Sequence, residues 1–177
     1  MTGRALRRLF AAGLLLSASA LAADPALDRA IAAYQRGAHQ EALPTLLASA
    51  QAGDPLAQVY LGLAYYNGHG VAEDDHAAFT WFWHAAEQGF AEGEYQLGFM
   101  YTYGYGVPAD EPDPEGKALA WFGRAADQGH AEAQFNLGLM LLAGSGAEGD
   151  EQVGLHWIEE AARNGSPGAR RFTGALE

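Results

Sequence analysis

The chain has 177 residues, of which 49% are hydrophobic and 18% are charged, a composition typical of one globular domain rather than a disordered chain. No cysteine occurs, which excludes disulfides and a lipid attached to an N-terminal cysteine. The formal net charge of −12 at pH 7 disfavours binding to nucleic acid or to anionic membrane surfaces, because both repel an acidic protein.

The first 22 residues have the pattern of a secretory signal peptide. Arg4, Arg7 and Arg8 precede the apolar run 9–16, and residues 20–22 supply small side chains for a signal peptidase. A membrane anchor is the alternative, but the apolar run is shorter than the roughly 20 residues that a bilayer span requires. The sequence therefore predicts a cleaved signal, no stable membrane anchor, and a periplasmic or secreted protein.

Cleavage of this segment would make the protein still more acidic. It removes three of the 10 basic residues and none of the 22 acidic ones, which leaves a formal net charge of −15. We therefore expect a basic or neutral partner rather than an acidic one.

Four glycines mark an internal repeat in the rest of the chain. Gly53, Gly89, Gly129 and Gly165 are separated by 36, 40 and 36 residues, a period typical of helical arrays. The predicted units are a degenerate helix pair over 23–53, repeats over 54–89, 90–129 and 130–165, and a capping helix over 166–177. Atypical terminal units are expected of such an array because they face solvent.

Each repeat has the apolar spacing of two helices. In the second helix, small and large apolar positions recur at i, i+3, i+4 and i+7 over 78–85, 118–125 and 154–161. In the first helix, the spacing is i, i+4, i+7 and i+8 over 93–101 and 133–141. The sequence therefore predicts an all-α fold, an α/α solenoid of antiparallel helix pairs.

Glycines inside the first helices predict close helix contacts. Gly62, Gly98 and Gly138 each follow a repeated leucine. Glycine costs about 1 kcal/mol relative to alanine in a helix interior, so it is favoured only where backbones approach closely. We predict that Ala85-Ala86 and Ala125-Ala126 face Gly98 and Gly138.

The segments that follow the glycine turns are acidic. They are 73–75, 110–115 and 148–151, and the middle one lies in the proline-containing segment 107–114, which holds four extra residues and predicts a loop. Stacking of the repeats would place these segments along one edge as an acidic ridge. This ridge is either merely a solvated surface, or it attracts basic partners electrostatically.

The repeat motif resembles that of a known family. Residues 75–89, 95–98 and 104–107 resemble the consensus of the Sel-one-like repeat (SLR) family, and residues 125–138 are similar again. The resemblance covers about residues 42 to 165. It implies a right-handed superhelix related to tetratricopeptide arrays, and a role as an adaptor for protein partners in signalling, secretion, envelope assembly or host contact.

The chemistry of catalysis and metal binding has weak support in the sequence. His69, Glu73, Asp74, Asp75 and His76 lie close together, but their spacing matches no standard ligand set, and acids that precede a helix cap its amides. We therefore expect no metal, no cofactor and no catalytic residue. The many acids leave open an envelope hydrolase acting on cell-wall material through two carboxylates about 5 to 9.5 Å apart. A protein that self-associates through its ends is a further alternative.

Three aromatic residues break the repeat pattern and are candidate anchors for a partner. The counterparts of Trp83 are Gly123 and Glu159, so we predict that its indole is exposed, and Tyr103 and Tyr105 are similarly irregular. Exposed aromatic side chains are favoured anchors at interfaces. The recurring tryptophans, in contrast, are predicted to be core: Trp81, Trp121 and Trp157.

The first helices of such solenoids line the concave face. Equivalent positions on these helices would present five polar side chains: Tyr60, Gln96, Asn136, Glu92 and Glu132. The primary hypothesis is therefore an interaction scaffold that binds an extended peptide or protein segment on this face.

Overall fold

The computed structural model describes residues 24–145 and 150–174. Within these ranges the chain forms nine helices and no strand, and none of the helices is long and apolar enough to cross a membrane. The helices are α1 (Pro25–Gln35), α2 (His39–Gln51), α3 (Pro55–Asn67), α4 (Asp75–Glu87), α5 (Ala91–Tyr103), α6 (Pro114–Asp127), α7 (Ala131–Leu142), α8 (Asp150–Arg163) and α9 (Pro167–Gly174). The predicted signal peptide lies outside the described residues.

The helices stack in chain order as pairs. Packing is most extensive within the predicted repeats, where α3 packs on α4, α5 on α6 and α7 on α8. First helices also touch one another across repeats, α1 with α3, α3 with α5 and α7 with α9, whereas second helices approach one another less closely. The first helices are therefore the more closely packed side of the row at three of their four junctions, which fits the side that the sequence analysis predicts to be concave.

Carboxylates and glycines set the helix boundaries. The side chains of Asp54, Asp74 and Asp113 accept hydrogen bonds from backbone N–H groups in the first turns of α3, α4 and α6, at 2.8, 3.0 and 2.9 Å. Asp74 is thus an N-cap, as predicted. The four glycines that define the repeat all have positive φ, with values of 97°, 75°, 83° and 103° in chain order.

The glycine contacts between helices differ from those predicted. A Cβ atom at Gly98 would lie 2.7 Å from Cδ1 of Phe122, a residue of its own helix pair. Ala85-Ala86 instead pack against Gly93, where a Cβ atom would lie 2.6 Å from the Ala85 Cβ. Gly138 likewise meets the backbone of α8 rather than the alanine pair predicted for it. The prediction of close approach is confirmed, but the predicted partners are wrong: Gly98 and Gly138 contact the second helix of their own repeat, and the alanine pair of α4 contacts Gly93.

The prediction that all three recurring tryptophans are core is also wrong. Trp121 is buried, whereas Trp81 and Trp157 are only partly buried. The buried positions belong to the residues that follow them: Phe82, Phe122 and Ile158, each at most 2% exposed. These residues lie about 100° further around the helix, which directs them at the glycines of the first helices.

Candidate partner-binding face

The inner face, which we define as the surface of α3, α5 and α7 on the curved-in side, is anionic. These three helices contain no lysine or arginine and three acids, Glu92, Glu94 and Glu132. Glu94 is 1% exposed and pairs with Arg124 on α6 at 2.8 Å. Within the described residues, neither Glu92 nor Glu132 pairs with a lysine or arginine, so these two carboxylates set the charge of the face.

Glu92 is linked to the next repeat through His130. The His130 Nε2 lies 2.9 Å from the Glu92 Oε2, and the Nδ1 accepts a hydrogen bond from the Ala133 N–H at 3.2 Å. With Nδ1 accepting from an amide, the contact with Glu92 is made by an N–H at Nε2. Gln96 donates to the other carboxylate oxygen at 2.7 Å. Both carboxylate oxygens of Glu92 are therefore in hydrogen bonds with neighbouring side chains.

Two buried phenols lie in the field of these carboxylates. Burial raises the pKa of Tyr95 well above its usual value, and Glu92 and Glu132 raise it further. Burial also raises the pKa of Tyr60, the hydrogen bond from Gln35 opposes the rise, and Glu92 adds to it. Since Glu92 and Glu132 act on the same phenol, they belong to one anionic patch around Tyr95.

Tyr103 supplies an exposed aromatic ring at the C-terminal end of α5, the opposite end from Glu92. It is 49% exposed, and its ring centroid lies 4.6 Å from that of Phe99 and 6.1 Å from that of Tyr105. Tyr105 is partly buried against the core, with its ring 5.6 Å from that of Tyr66. The cluster therefore supports Tyr103 in an accessible position, whereas Tyr105 serves mainly as packing.

Trp83 does not lie on the inner face, and the prediction that its indole is exposed is wrong. It belongs to α4, a second helix, and is partly buried. Its ring lies 6.2 Å from Phe79 and meets Trp121 edge-on at 5.8 Å, and the guanidinium of Arg124 sits 4.4 Å from the Trp121 ring. Trp83 thus fills the space between two second helices that pack only loosely on each other.

Three of the predicted contact residues form the floor of the face. Tyr60 and Gln96 are 2% and 5% exposed, and the Tyr60 hydroxyl accepts a hydrogen bond from Gln35 at 2.8 Å. Asn136 is half-buried and donates to the backbone carbonyl of Glu132 at 2.8 Å. Their role in binding stays a prediction, but the accessible chemistry of the face comes from Glu92, Glu132 and Tyr103.

The histidines and acids of residues 69–76 do not converge. His69 is hydrogen-bonded to the Tyr34 hydroxyl at 3.1 Å, and His76 contacts the carbonyl of Gly106 at 3.1 Å. Among the described residues, no group of three or more metal-binding side chains could hold an ion.

Sequence reasoning missed His130. The signal was its place directly after Gly129, where the preceding repeats have Asp54 and Phe90 at the start of the first helix. A histidine there can cap the helix and also reach across to the previous repeat.

Stacked helix pairs, side chains packed against glycine, and an inner face with two partly buried acids and an exposed aromatic ring define a helical-repeat scaffold. The particular family follows from three matches to the Sel1 repeat model, over residues 55–90, 91–130 and 131–166. Because these matches span more than half of the sequence, the chain belongs to the Sel1 repeat family. Proteins of this family generally mediate protein–protein interaction and are typically non-catalytic scaffolds.

Two solved structures confirm the predicted solenoid. One is a Sel1 repeat protein from Oxalobacter formigenes, with a TM-score of 0.74 and 29% identity over 83% of this chain and 57% of the other. The other is a protective antigen present in uropathogenic Escherichia coli strains and displaying an SLR fold, with a TM-score of 0.72 and 29% identity over 85% of this chain and 32% of the other. The chain thus spans less than two thirds of either protein. No curated protein matches it significantly.

Proposed function

We propose that this protein is an exported scaffold that binds a segment of a protein partner along its inner face. The observation that carries the proposal is an inner face without a basic residue on its three helices, with Glu92 and Glu132 in the first turns of α5 and α7 and the exposed Tyr103 ring at the last residue of α5. Carboxylates and aromatic rings both attract arginine and lysine side chains, so a partner segment with basic and neutral residues is complementary.

The proposal of export rests on the sequence of residues 1–22. Their basic start, apolar run and small residues are the features of a cleaved signal. The mature chain would then act in the periplasm or outside the cell, and its net negative charge would discriminate against nucleic acid and anionic lipid.

A peptide array with basic, neutral and acidic members of equal length tests the binding chemistry. The best binder is then measured by fluorescence polarisation against residues 23–177 and against a Glu92→Gln/Glu132→Gln/Tyr103→Ala variant. We expect selection of basic or neutral peptides, affinity that falls with added salt, and at least about tenfold weaker binding by the variant, since interface anchors contribute about 2 kcal/mol or more.

A matched control separates the inner face from the rest of the surface. Leu155→Ala and Glu115→Gln remove an exposed apolar side chain and an exposed carboxylate from second helices. We expect both to bind like the unaltered protein. Preference for acidic peptides, or equal binding by the inner-face variant with its helicity intact, would contradict the proposal.

A further inference from the structure

The opening helix pair and the first repeat meet at two stacked histidines. His39 is the first residue of α2, and His69 lies in the turn after α3. Their ring centroids are 4.2 Å apart and their planes differ by 8°. Tyr34 of α1 contacts both: its hydroxyl lies 3.1 Å from the His69 Nδ1, and its ring centroid is 4.9 Å from that of His39. Three separate segments thus converge on one stack.

The junction is open to solvent on one side. A cavity of about 480 Å³ is lined by residues of the α1–α2 turn and by the turn after α3: Gly37, Ala38, His39, Gln40, Glu41 and Gly70. The Gln40 amide donates to the Gly70 carbonyl at 2.9 Å and is exposed. Protons can therefore reach the stack without prior unfolding.

Two simultaneous positive charges are disfavoured in this stack. Protonation of both rings would place two cations at stacking distance. His39 also lies at the N-terminus of α2, where the helix dipole opposes a cation and Ala38 provides no side-chain cap. Burial first, and the proximity of His39 second, lower the pKa of His69.

The charged groups nearest the junction are Arg36 and Glu41 on the α1–α2 side and Glu73 and Asp74 on the α3–α4 side. Arg36 and Glu41, on either side of the α1–α2 turn, pair with each other at 2.7 Å. Burial raises the pKa of Tyr34, so its phenol remains neutral. Glu73 and Asp74 follow later in the turn after α3, and Asp74 caps α4. Because two imidazolium ions at this stacking distance would repel each other, the stack is most stable when the imidazoles are neutral.

We propose that His39 and His69 form an acid-released latch, which holds the opening helix pair on the first repeat while both rings are neutral and opens when they take up protons. Because the closed state lowers the pKa of His69, the open state binds protons more tightly. The latch should therefore be closed above the ordinary histidine pKa of about 6.5 and weaken as the pH falls below it.

The latch is connected to one end of the inner face. The Tyr34 ring meets Tyr60 edge-on at 5.4 Å, and Gln35 hydrogen-bonds the Tyr60 hydroxyl. Release would thus alter the first-helix surface near Tyr60. The proposal does not depend on the identity of a partner, because the junction can be measured in the isolated protein.

Hydrogen exchange of α1 and α2 between pH 7.5 and pH 5.0, corrected for intrinsic exchange, tests the latch. Protection should fall with decreasing pH, by up to about tenfold for each unit by which closure lowers an imidazole pKa. His39→Gln/His69→Gln, which cannot gain these protons, should lose this pH dependence. His84→Gln, an exposed histidine on α4, should retain it.

A titration of the imidazole signals by NMR keeps the test independent of the double variant's stability. In His39→Gln, His69 should titrate at a higher pH than in the unaltered protein because the neighbouring imidazole is gone. An unchanged His69 midpoint, pH-independent protection of α1 and α2, or the same pH dependence in the folded double variant would each overturn the latch.

Discussion

The Arg124 Nη2 lies 2.8 Å from the Glu94 Oε1, and this ion pair replaces a glutamine that the neighbouring repeats share. At the equivalent positions, Gln58 and Gln134 donate to a backbone carbonyl near the end of the preceding second helix, at 3.2 and 3.1 Å. In the middle repeat, Arg124 donates to the corresponding carbonyl of Ala86 at 3.4 Å. The arginine thus supplies both a counter-charge and the missing donor.

Glu94→Gln is expected to preserve stability or raise it. The new amide can accept from Gln128, which now donates to Glu94 at 2.6 Å, and can itself donate to the Ala86 carbonyl. Burial raises the pKa of Glu94, although Arg124 opposes the rise. The folded protein therefore loses stability as the pH increases through that pKa and Glu94 becomes ionised. Thermal unfolding followed by circular dichroism should show a gain of up to about 1 kcal/mol at pH 7 and less at pH 4.

Gln134→Glu is the matched test. In this repeat the position equivalent to Arg124 is occupied by Glu160, so the new carboxylate at position 134 would be buried without an arginine partner. The Ala126 carbonyl would also lose the hydrogen bond that it now accepts from Gln134. We expect a loss of about 2 to 4 kcal/mol at pH 7. A larger loss of stability for Glu94→Gln than for Gln134→Glu would show that Arg124 does not take over the role of the repeated glutamine.

Gly98→Ala is expected to destabilise the protein by about 1 to 3 kcal/mol, because the added methyl group would overlap the Phe122 ring. Gly123→Ala provides the control in α6. A Cβ atom there meets nothing within 4 Å, so the better helix propensity of alanine should stabilise by up to about 1 kcal/mol. Urea unfolding of the two variants distinguishes helix contact from propensity, and changes of the same sign would refute the contact.

The same pair of glycines shows how far the sequence could predict the fold. Periodicity defines which side of each helix is apolar, and this was enough to predict helix pairs and close approach at Gly98. It does not define which of the two flanking helices a glycine contacts, so Phe122 of α6 was missed in favour of Ala85-Ala86 of α4. Contact register depends on crossing angle and side-chain volume, which a repeat pattern does not contain.

The candidate site was predictable to a smaller extent. Tyr103 and Trp83 were both selected because they break the repeat, yet Tyr103 is exposed and Trp83 is partly buried. A break in a repeat indicates an unusual environment, which can be solvent or an extra cavity between helices. The bond of His130 to Glu92 links residues 38 positions apart, and only the fold brings them together.

His130→Ala is expected to cost about 1 to 2 kcal/mol, since it removes the N-cap of α7 and the ring stacked on Tyr95 at 4.6 Å. His130→Asn restores a side-chain cap but not the stacking or the bond to Glu92, so it should recover about half of the loss. Urea unfolding at pH 7.5 measures both. Equal stability of the two variants would show that capping contributes little at this helix.

Residues 1–22 are expected to be absent from the exported protein. The small side chains of Ala20 and Ala22 occupy the positions that a signal peptidase reads, so cleavage should leave Ala23 as the first residue. The intact mass of the protein recovered from the periplasm or medium after expression in a Gram-negative host checks this.

Ala20→Arg should block processing and leave the precursor in the membrane fraction, whereas Ala26→Ser, beyond the cleavage site, should be processed normally. Recovery of a released protein that retains Met1, or of protein only in the cytoplasm, would contradict export by this segment.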